Sequence, residues 1–196
     1  MAAVPGWINV PNALSLARIV LAPVFLHLYL KGDEDGALIA FAVAAATDGL
    51  DGLAARLLRQ QTRLGAFLDA AADKLLMGCA LLALALRGQV PWWLAACVVG
   101  RDLLLALGSV VLGVQHAPVP VRPTRIGKYA TALVALIVVV VLVADYHDAP
   151  LSRTGPWVTA LGLVACALVV ASAVQYGSSF LASMRLVRRA HDVAGR

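Results

Sequence analysis

The sequence DGLDGLAARLLRQQTRLGAFLDAAAD, residues 48–73, places four aspartates in an otherwise apolar part of the chain. These acids are Asp48, Asp51, Asp69 and Asp73, and each falls where a membrane helix is expected. An unpaired aspartate near the centre of such a helix costs about 2.5 to 3.5 kcal/mol. Acids at three- and four-residue spacing share one helix face and suit a divalent metal ion. We therefore expect a cation to neutralise them.

The composition is that of a membrane protein. Hydrophobic residues make up 61% of the 196 residues and charged residues 14%, well outside the averages of soluble domains. We predict one integral membrane domain over residues 1–196. The formal net charge is +5, but in such a chain the placement of Lys and Arg matters more than their total. We expect no nucleic-acid partner.

Six apolar stretches are long enough to span a bilayer, which predicts an all-α protein with six transmembrane helices. They run over Ala13–Leu30, Gly36–Leu58, Leu64–Leu86, Pro91–Val114, Gly127–Ala144 and Trp157–Leu181. Lys and Arg cluster in the second and fourth connections and in the C-terminal tail. By the positive-inside rule these segments and both termini lie in the cytoplasm, which predicts a multi-pass protein of the cell (inner) membrane.

The four acids are expected to pair by depth. If residues 36–58 and 64–86 form an antiparallel hairpin, the helical rise places Asp51 opposite Asp69, and Asp48 opposite Asp73 about one turn deeper. This arrangement predicts a polar cavity with four carboxylates that opens to the cytoplasm.

Other readings of the acids come from a different functional class. Carboxylates within a membrane also form cation-channel rings, proton relays and salt-bridged structural cores, so a divalent-cation transporter or channel is an alternative. In a structural core, Arg56 and Lys74 could balance two of the four acids.

The spacing of these residues resembles the signature of the CDP-alcohol phosphotransferase family. The pattern reads Asp48-x2-Asp51-Gly52-x2-Ala55-Arg56-x8-Gly65-x3-Asp69-x3-Asp73. Members of this family are membrane enzymes that make phospholipids from CDP-linked donors, with six helices around a cytoplasm-facing polar cavity. The resemblance implies that Asp48, Asp51, Asp69 and Asp73 bind two Mg²⁺ ions, for which Mn²⁺ is a candidate substitute. It also implies that Asp73 is the general base.

The resemblance further implies a binding site for the CDP part of the donor. Its residues are Asn12, Ser15, Arg18, Asp48, Gly52, Ala55, Arg56 and Gly65. The first three recur at three-residue spacing and are expected near one face of the first helix. The alternatives are an N-terminal cap with a snorkelling Arg18, and helix packing for the two glycines.

Three basic residues are candidates for binding an anionic acceptor: Arg101, Arg125 and Lys128. Arg101 is predicted near mid-membrane, where it must face the protein interior. An ion pair with Asp102 is the alternative for Arg101, and positive-inside flanking is the alternative for the other two.

The flanking sequence is similar to that of phosphatidylglycerophosphate synthases and cardiolipin synthases. We expect transfer of a phosphatidyl group from CDP-diacylglycerol to glycerol 3-phosphate with release of CMP. The alternative is a cardiolipin synthase that uses phosphatidylglycerol, since Arg101-Asp102 is not followed by a second base in residues 103–114. Membrane lipids and a second copy of the chain are further candidate partners.

Overall fold

Helices make up almost all of the described chain. The computed structural model describes residues 10–57, 63–114, 125–147 and 155–194, and within them the chain forms six helices. These are α1 (Val10–Lys31), α2 (Glu34–Leu57), α3 (Arg63–Leu86), α4 (Trp92–Val114), α5 (Arg125–Tyr146) and α6 (Pro156–Ala194). Each predicted span coincides with one helix, which confirms the all-α fold class.

Three of the helices in the described residues are long and apolar enough to cross a membrane by length and composition. They cover 12–31, 125–146 and 156–178. Two helices extend past their predicted ends: α5 reaches Tyr146 and thereby includes Asp145, and α6 continues to Ala194 for a total of 39 residues.

A left-handed glycine ends α1 and sets up the start of α2. Gly32 has a φ of +83°. Its N–H donates to the carbonyl of Tyr29 at 3.1 Å, and the N–H of Asp33 donates to the carbonyl of Leu28 at 3.1 Å. These two bonds form a Schellman motif. Asp33 then caps α2, because its Oδ1 accepts the backbone N–H of Gly36 at 3.0 Å.

The same motif ends α3. Gly88 has a φ of +72°, its N–H donates to the carbonyl of Ala85 at 3.1 Å, and the N–H of Gln89 donates to the carbonyl of Leu84 at 2.8 Å. Both turns occur where an L side chain would be strained, which explains why glycine stands at each.

The chain divides into two compact units. The first contains α1, α2, α3 and the end of α5 from Val138. Within the described residues of this unit, α1 packs along both α2 and α3, and α2 and α3 contact each other at a few positions. Aromatic rings fill part of the core, with the Phe25 centroid 5.7 Å from that of Tyr29 and 5.5 Å from that of Phe41. Among the described residues, α1 is therefore the main partner of α2.

The second unit contains α4, the start of α5 up to Ile137, and α6. In it, α4 packs against α6. Gly162 permits this approach, because a Cβ at that position would lie 3.0 Å from the ring of Trp93.

Candidate active site

The buried face of α1 supplies the first part of the site. Its buried residues recur every three or four positions, as expected for one face of a helix. They are Asn12, Ser15, Arg18, Ala22, Phe25 and Tyr29. The prediction that Asn12, Ser15 and Arg18 share a face is thus confirmed, and all three lie inside the first unit.

Arg18 joins two of the signature acids. Its Nη1 lies 2.7 Å from Oδ1 of Asp48 on α2 and 3.3 Å from Oδ1 of Asp69 on α3. The Arg18 side chain is 0% exposed, whereas the side chains of Asp48 and Asp69 are 53% and 50% exposed. We call these three residues the Arg18 site. A buried cation therefore holds two carboxylates whose outer surfaces remain open.

Two of the other signature residues have described positions on α3. Asp73 lies one turn further along α3, within electrostatic reach of Asp48, Asp69 and Arg18. Gly65 is half-buried near the start of the same helix. The remaining predicted residues belong to α2, but their side chains lie outside the described part of the structure: Asp51, Gly52, Ala55 and Arg56.

The residues present fit a divalent metal by their chemistry. Mg²⁺ prefers carboxylate oxygens and keeps several waters, and the half-exposed Asp48 and Asp69 offer oxygen surface with room for both. Within the described ranges, no three His, Cys, Asp or Glu side chains are grouped closely enough to hold an ion together. Asp51, the further metal ligand that the sequence predicts, has its side chain outside the described part of the structure.

Arg101 makes the local contacts that the sequence left as its alternative. Its Nη1 donates to Oδ1 of Asp102 at 2.7 Å, and its Nη2 donates to Oγ of Ser172 on α6 at 3.1 Å. Ser172 was not predicted; it is a buried serine in an apolar helix, and no spacing in the sequence connects it to Arg101. Arg125 and Lys128 lie exposed in the first turn of α5. Acceptor binding by these three bases stays a prediction.

A second polar cluster in the first unit was missed by sequence reasoning. The buried carboxylate of Asp145 accepts hydrogen bonds from the Tyr29 hydroxyl and the Gln89 side-chain amide. Nη1 of Arg87 lies 3.5 Å from Oδ2 of Asp145, and its Nη2 lies 3.0 Å from Oε1 of Glu34. Its Cζ lies 4.7 Å from the centroid of the Tyr29 ring. We call these five residues the Asp145 cluster. It ties together the ends of α1, α3 and α5 and the start of α2, and α2 and α3 carry the signature acids toward their other ends.

Comparison with known sequences assigns the chain to a family. The profile of the CDP-alcohol phosphatidyltransferase family matches residues 8–187. The chain belongs to that family. The resemblance seen in the sequence is therefore confirmed, and the apolar helices together with this family of membrane enzymes make the chain a membrane protein.

Several relatives carry more specific names. A CDP-diacylglycerol–glycerol-3-phosphate 3-phosphatidyltransferase of Aquifex aeolicus is 32% identical over 170 residues, 86% of this chain and 93% of the relative. A candidate cardiolipin synthase of Mycobacterium tuberculosis is 40% identical over 129 residues, 63% of this chain and 59% of the relative. A candidate phosphatidylglycerophosphate synthase of the same organism is 40% identical over 118 residues, 56% of each chain. The chain thus spans less than two thirds of either mycobacterial relative.

Proposed function

We propose that this chain transfers the phosphatidyl group of CDP-diacylglycerol to a free hydroxyl of glycerol 3-phosphate, with release of CMP. The observation that carries the proposal is the Arg18 site, in which two signature acids from different helices meet with their outer surfaces open. The name of the Aquifex aeolicus relative, which aligns over most of both chains, supports glycerol 3-phosphate as the acceptor.

The chemistry requires one bond to form and one to break. The acceptor hydroxyl oxygen attacks the phosphorus that bears the diacylglycerol group, and the bond from that phosphorus to the bridging oxygen breaks. CMP leaves with the bridging oxygen, and Asp73 takes the proton of the acceptor hydroxyl. No covalent enzyme intermediate is needed, because the hydroxyl attacks directly.

Asp48, Asp51, Asp69 and Asp73 are the residues that would hold two Mg²⁺ ions. Bound magnesium neutralises phosphate charge, so that an oxygen nucleophile can approach a diphosphate. The role of the protein is then to orient donor and acceptor, which accounts for much of the rate in such transfers.

Binding of the two substrates is assigned to separate sets of residues. We assign the CDP part of the donor to Asn12, Ser15, Gly52, Ala55, Arg56 and Gly65, together with Asp48, behind which Arg18 is buried. We assign the anionic acceptor to Arg101, Arg125 and Lys128, since a glycerol phosphate needs cationic donors.

The proposal includes a topology with six membrane-spanning helices and both termini in the cytoplasm of a cell with an inner membrane. The clustering of Lys and Arg in alternate connections and in the tail supports it. Reporter fusions after Lys31 and after Arg63 test it: the first should report an external position and the second a cytoplasmic one. The opposite pattern would invert the topology.

A cardiolipin synthase is the second candidate. It is favoured by Arg101-Asp102 without a following base and by the mycobacterial relative with a cardiolipin synthase name. The Arg101–Asp102 pair leaves less positive charge for a phosphate monoester than an unpaired arginine would, and a phosphodiester carries less negative charge.

A direct assay decides between these functions. Purified protein receives labelled CDP-diacylglycerol and Mg²⁺ with glycerol 3-phosphate, phosphatidylglycerol or inositol phosphate, each in a separate reaction. We expect CMP release with glycerol 3-phosphate alone. Product with phosphatidylglycerol alone would make the chain a cardiolipin synthase. Divalent-cation flux in proteoliposomes, without CMP release from any mixture, would favour a transporter.

Neutralising Arg125 tests the acceptor site. Arg125→Gln should raise the KM for glycerol 3-phosphate about tenfold and leave the KM for CDP-diacylglycerol within about twofold, because it removes ground-state binding of one substrate. Lys31→Gln, which removes an exposed charge of the first unit, is the matched control and should change neither constant. Equal effects of Arg125→Gln on both KM values would remove this residue from the acceptor site.

A further inference from the structure

Arg18 lies between two acids, Asp48 and Asp69, that bind metal ions in the proposed reaction. Its guanidinium contacts Oδ1 of both Asp48 and Asp69, and its side chain is 0% exposed. A guanidinium stays protonated in proteins. The positive charge at this position is therefore permanent, and the two carboxylates are partly neutralised before any metal arrives.

We propose that Arg18 is a resident counter-cation that keeps the affinity for divalent metal low until the diphosphate of the donor binds. The inference rests on the proposed function, because it assumes that Asp48 and Asp69 are metal ligands. It makes Arg18 a positioning residue, which acts on the reaction through the two carboxylates, and it implies that metal and nucleotide load the site together.

Electrostatics give the direction of the effect. A divalent ion at the open side of Asp48 or Asp69 is repelled by the guanidinium on the buried side, and a pair with one buried member is screened less than two exposed charges would be. The diphosphate of the donor brings negative charge to the same place and offsets the repulsion. Metal affinity should therefore be weak in the nucleotide-free protein and stronger with nucleotide.

The burial of Arg18 argues for this role over direct contact with the donor. A side chain that is fully covered and held by two carboxylates must break both ion pairs to reach a phosphate in the open part of the site. Breaking a buried ion pair by removing one partner is strongly destabilising. Arg18 is thus better placed to act on the metal ligands than on the nucleotide.

Removing the charge tests the proposal without relying on turnover. Protein stripped with EDTA is titrated with Mn²⁺ at about pH 8, with and without CDP, and free Mn²⁺ is followed by electron paramagnetic resonance. Arg18→Gln should bind Mn²⁺ at least about tenfold more tightly than the wild type in the absence of CDP, because the repulsion is gone. The gain in Mn²⁺ affinity on adding CDP should shrink accordingly.

Three further variants make the test specific. Arg18→Lys keeps the charge and should keep the weak, CDP-dependent affinity. Arg18→Met removes the charge with an apolar side chain and replaces Arg18→Gln if that variant does not fold. Arg87→Gln removes an arginine that also contacts two carboxylates, in the Asp145 cluster, and should leave Mn²⁺ affinity unchanged.

The outcomes separate this inference from the proposed function. If the wild type binds Mn²⁺ and releases CMP, but neither neutral variant binds Mn²⁺ more tightly, the counter-cation role is wrong and the enzyme assignment stands. If neither the wild type nor the neutral variants bind Mn²⁺, with or without CDP, both are wrong. Tighter binding by Arg18→Lys as well would also overturn the inference, because charge would not be the cause.

Discussion

Two clusters in the first unit are built from the same parts and differ in which part is buried. In each, one arginine contacts two carboxylates. Arg18 is 0% exposed and its partners Asp48 and Asp69 are about half exposed, at 53% and 50%. In the Asp145 cluster the buried member is an acid instead: Asp145 is 9% exposed, whereas Arg87 and Glu34 are 30% and 34% exposed.

This difference separates a site that can take a ligand from one that is complete. Asp145 is satisfied by a tyrosine, an amide and an arginine, so little of its carboxylate remains for a cation. Asp48 and Asp69 share one guanidinium and keep open surface. The difference indicates that the Arg18 site leaves carboxylate surface available to a ligand, whereas the buried acid of the Asp145 cluster is used up by contacts within the fold.

The largest expected effect is at the Arg18 site. Asp69→Ala should abolish CMP release, because it removes a proposed metal ligand and one partner of Arg18. Asp35→Ala, an exposed acid of the same unit that accepts a hydrogen bond from Tyr146, is the control and should keep the wild-type rate. A folded, membrane-inserted Asp69→Ala protein with near-normal activity would show that the Arg18 site is not the metal site.

A substitution at Asp73, one turn from the Arg18 site along α3, distinguishes proton transfer from ligand binding. Asp73→Asn should lower kcat about 10²- to 10⁴-fold, the range typical of a lost general base. Binding of CDP should be retained better than turnover, because the amide keeps an oxygen ligand but cannot accept the proton. Isothermal titration with CDP and Mg²⁺, beside rate measurements, gives both quantities. Equal losses in both would leave Asp73 without a base role.

At the Asp145 cluster we expect the opposite pattern, a loss of stability without a loss of turnover. Asp145→Ala leaves Tyr29, Gln89 and Arg87 without their common acceptor and should destabilise the protein by about 3 kcal/mol, as expected when one partner of a buried pair is removed. Thermal unfolding in detergent, followed by tryptophan fluorescence, measures the loss. The turnover rate of the folded fraction should be unchanged. A Tm equal to that of the wild type would mean that the cluster contributes no stability.

The smallest expected effect is at Gly88, in the turn that carries Arg87 and Gln89 of the Asp145 cluster. Gly88→Ala places a side chain at a φ of +72° and should cost about 1 to 2 kcal/mol of stability through backbone strain. Gly78→Ala, inside the preceding helix α3, is the matched control: a Cβ there meets nothing within 4 Å, and the change should stabilise the helix slightly. If both variants lower the Tm equally, strain at Gly88 is not the cause.

The helices and one half of the polar chemistry could be predicted from the sequence. The six helices coincide with long apolar stretches of the sequence, and the family was identified from the spacing of Asp48, Asp51, Asp69 and Asp73 together with Gly52, Ala55, Arg56 and Gly65. The shared face of Asn12, Ser15 and Arg18 followed from helical periodicity. These features are local, because each can be read from one continuous stretch of the chain.

The missed features all depend on long-range contacts. Asp145 was placed in a connection, because a carboxylate at a helix end looks like a boundary when its partners Tyr29 and Gln89 are distant in the chain. The base that balances Asp48 and Asp69 was sought in Arg56 and Lys74, the nearest basic residues on the same helices. Arg18 fills this role because α1 packs along both α2 and α3, and no periodicity in the sequence reports that packing.

The pairing of Arg18 also bears on how the protein is made. Arg18 precedes Asp48 and Asp69 in the chain, so in the proposed six-span topology it emerges from the ribosome and enters the bilayer before either of them. An aspartate inserted alone near the centre of a helix costs about 2.5 to 3.5 kcal/mol, and a partner already in the membrane lowers that cost. We expect Arg18→Ala to reduce the fraction of newly synthesised α2 that inserts. The acids of the site would then depend on the first helix for their delivery to the membrane as well as for their position within it.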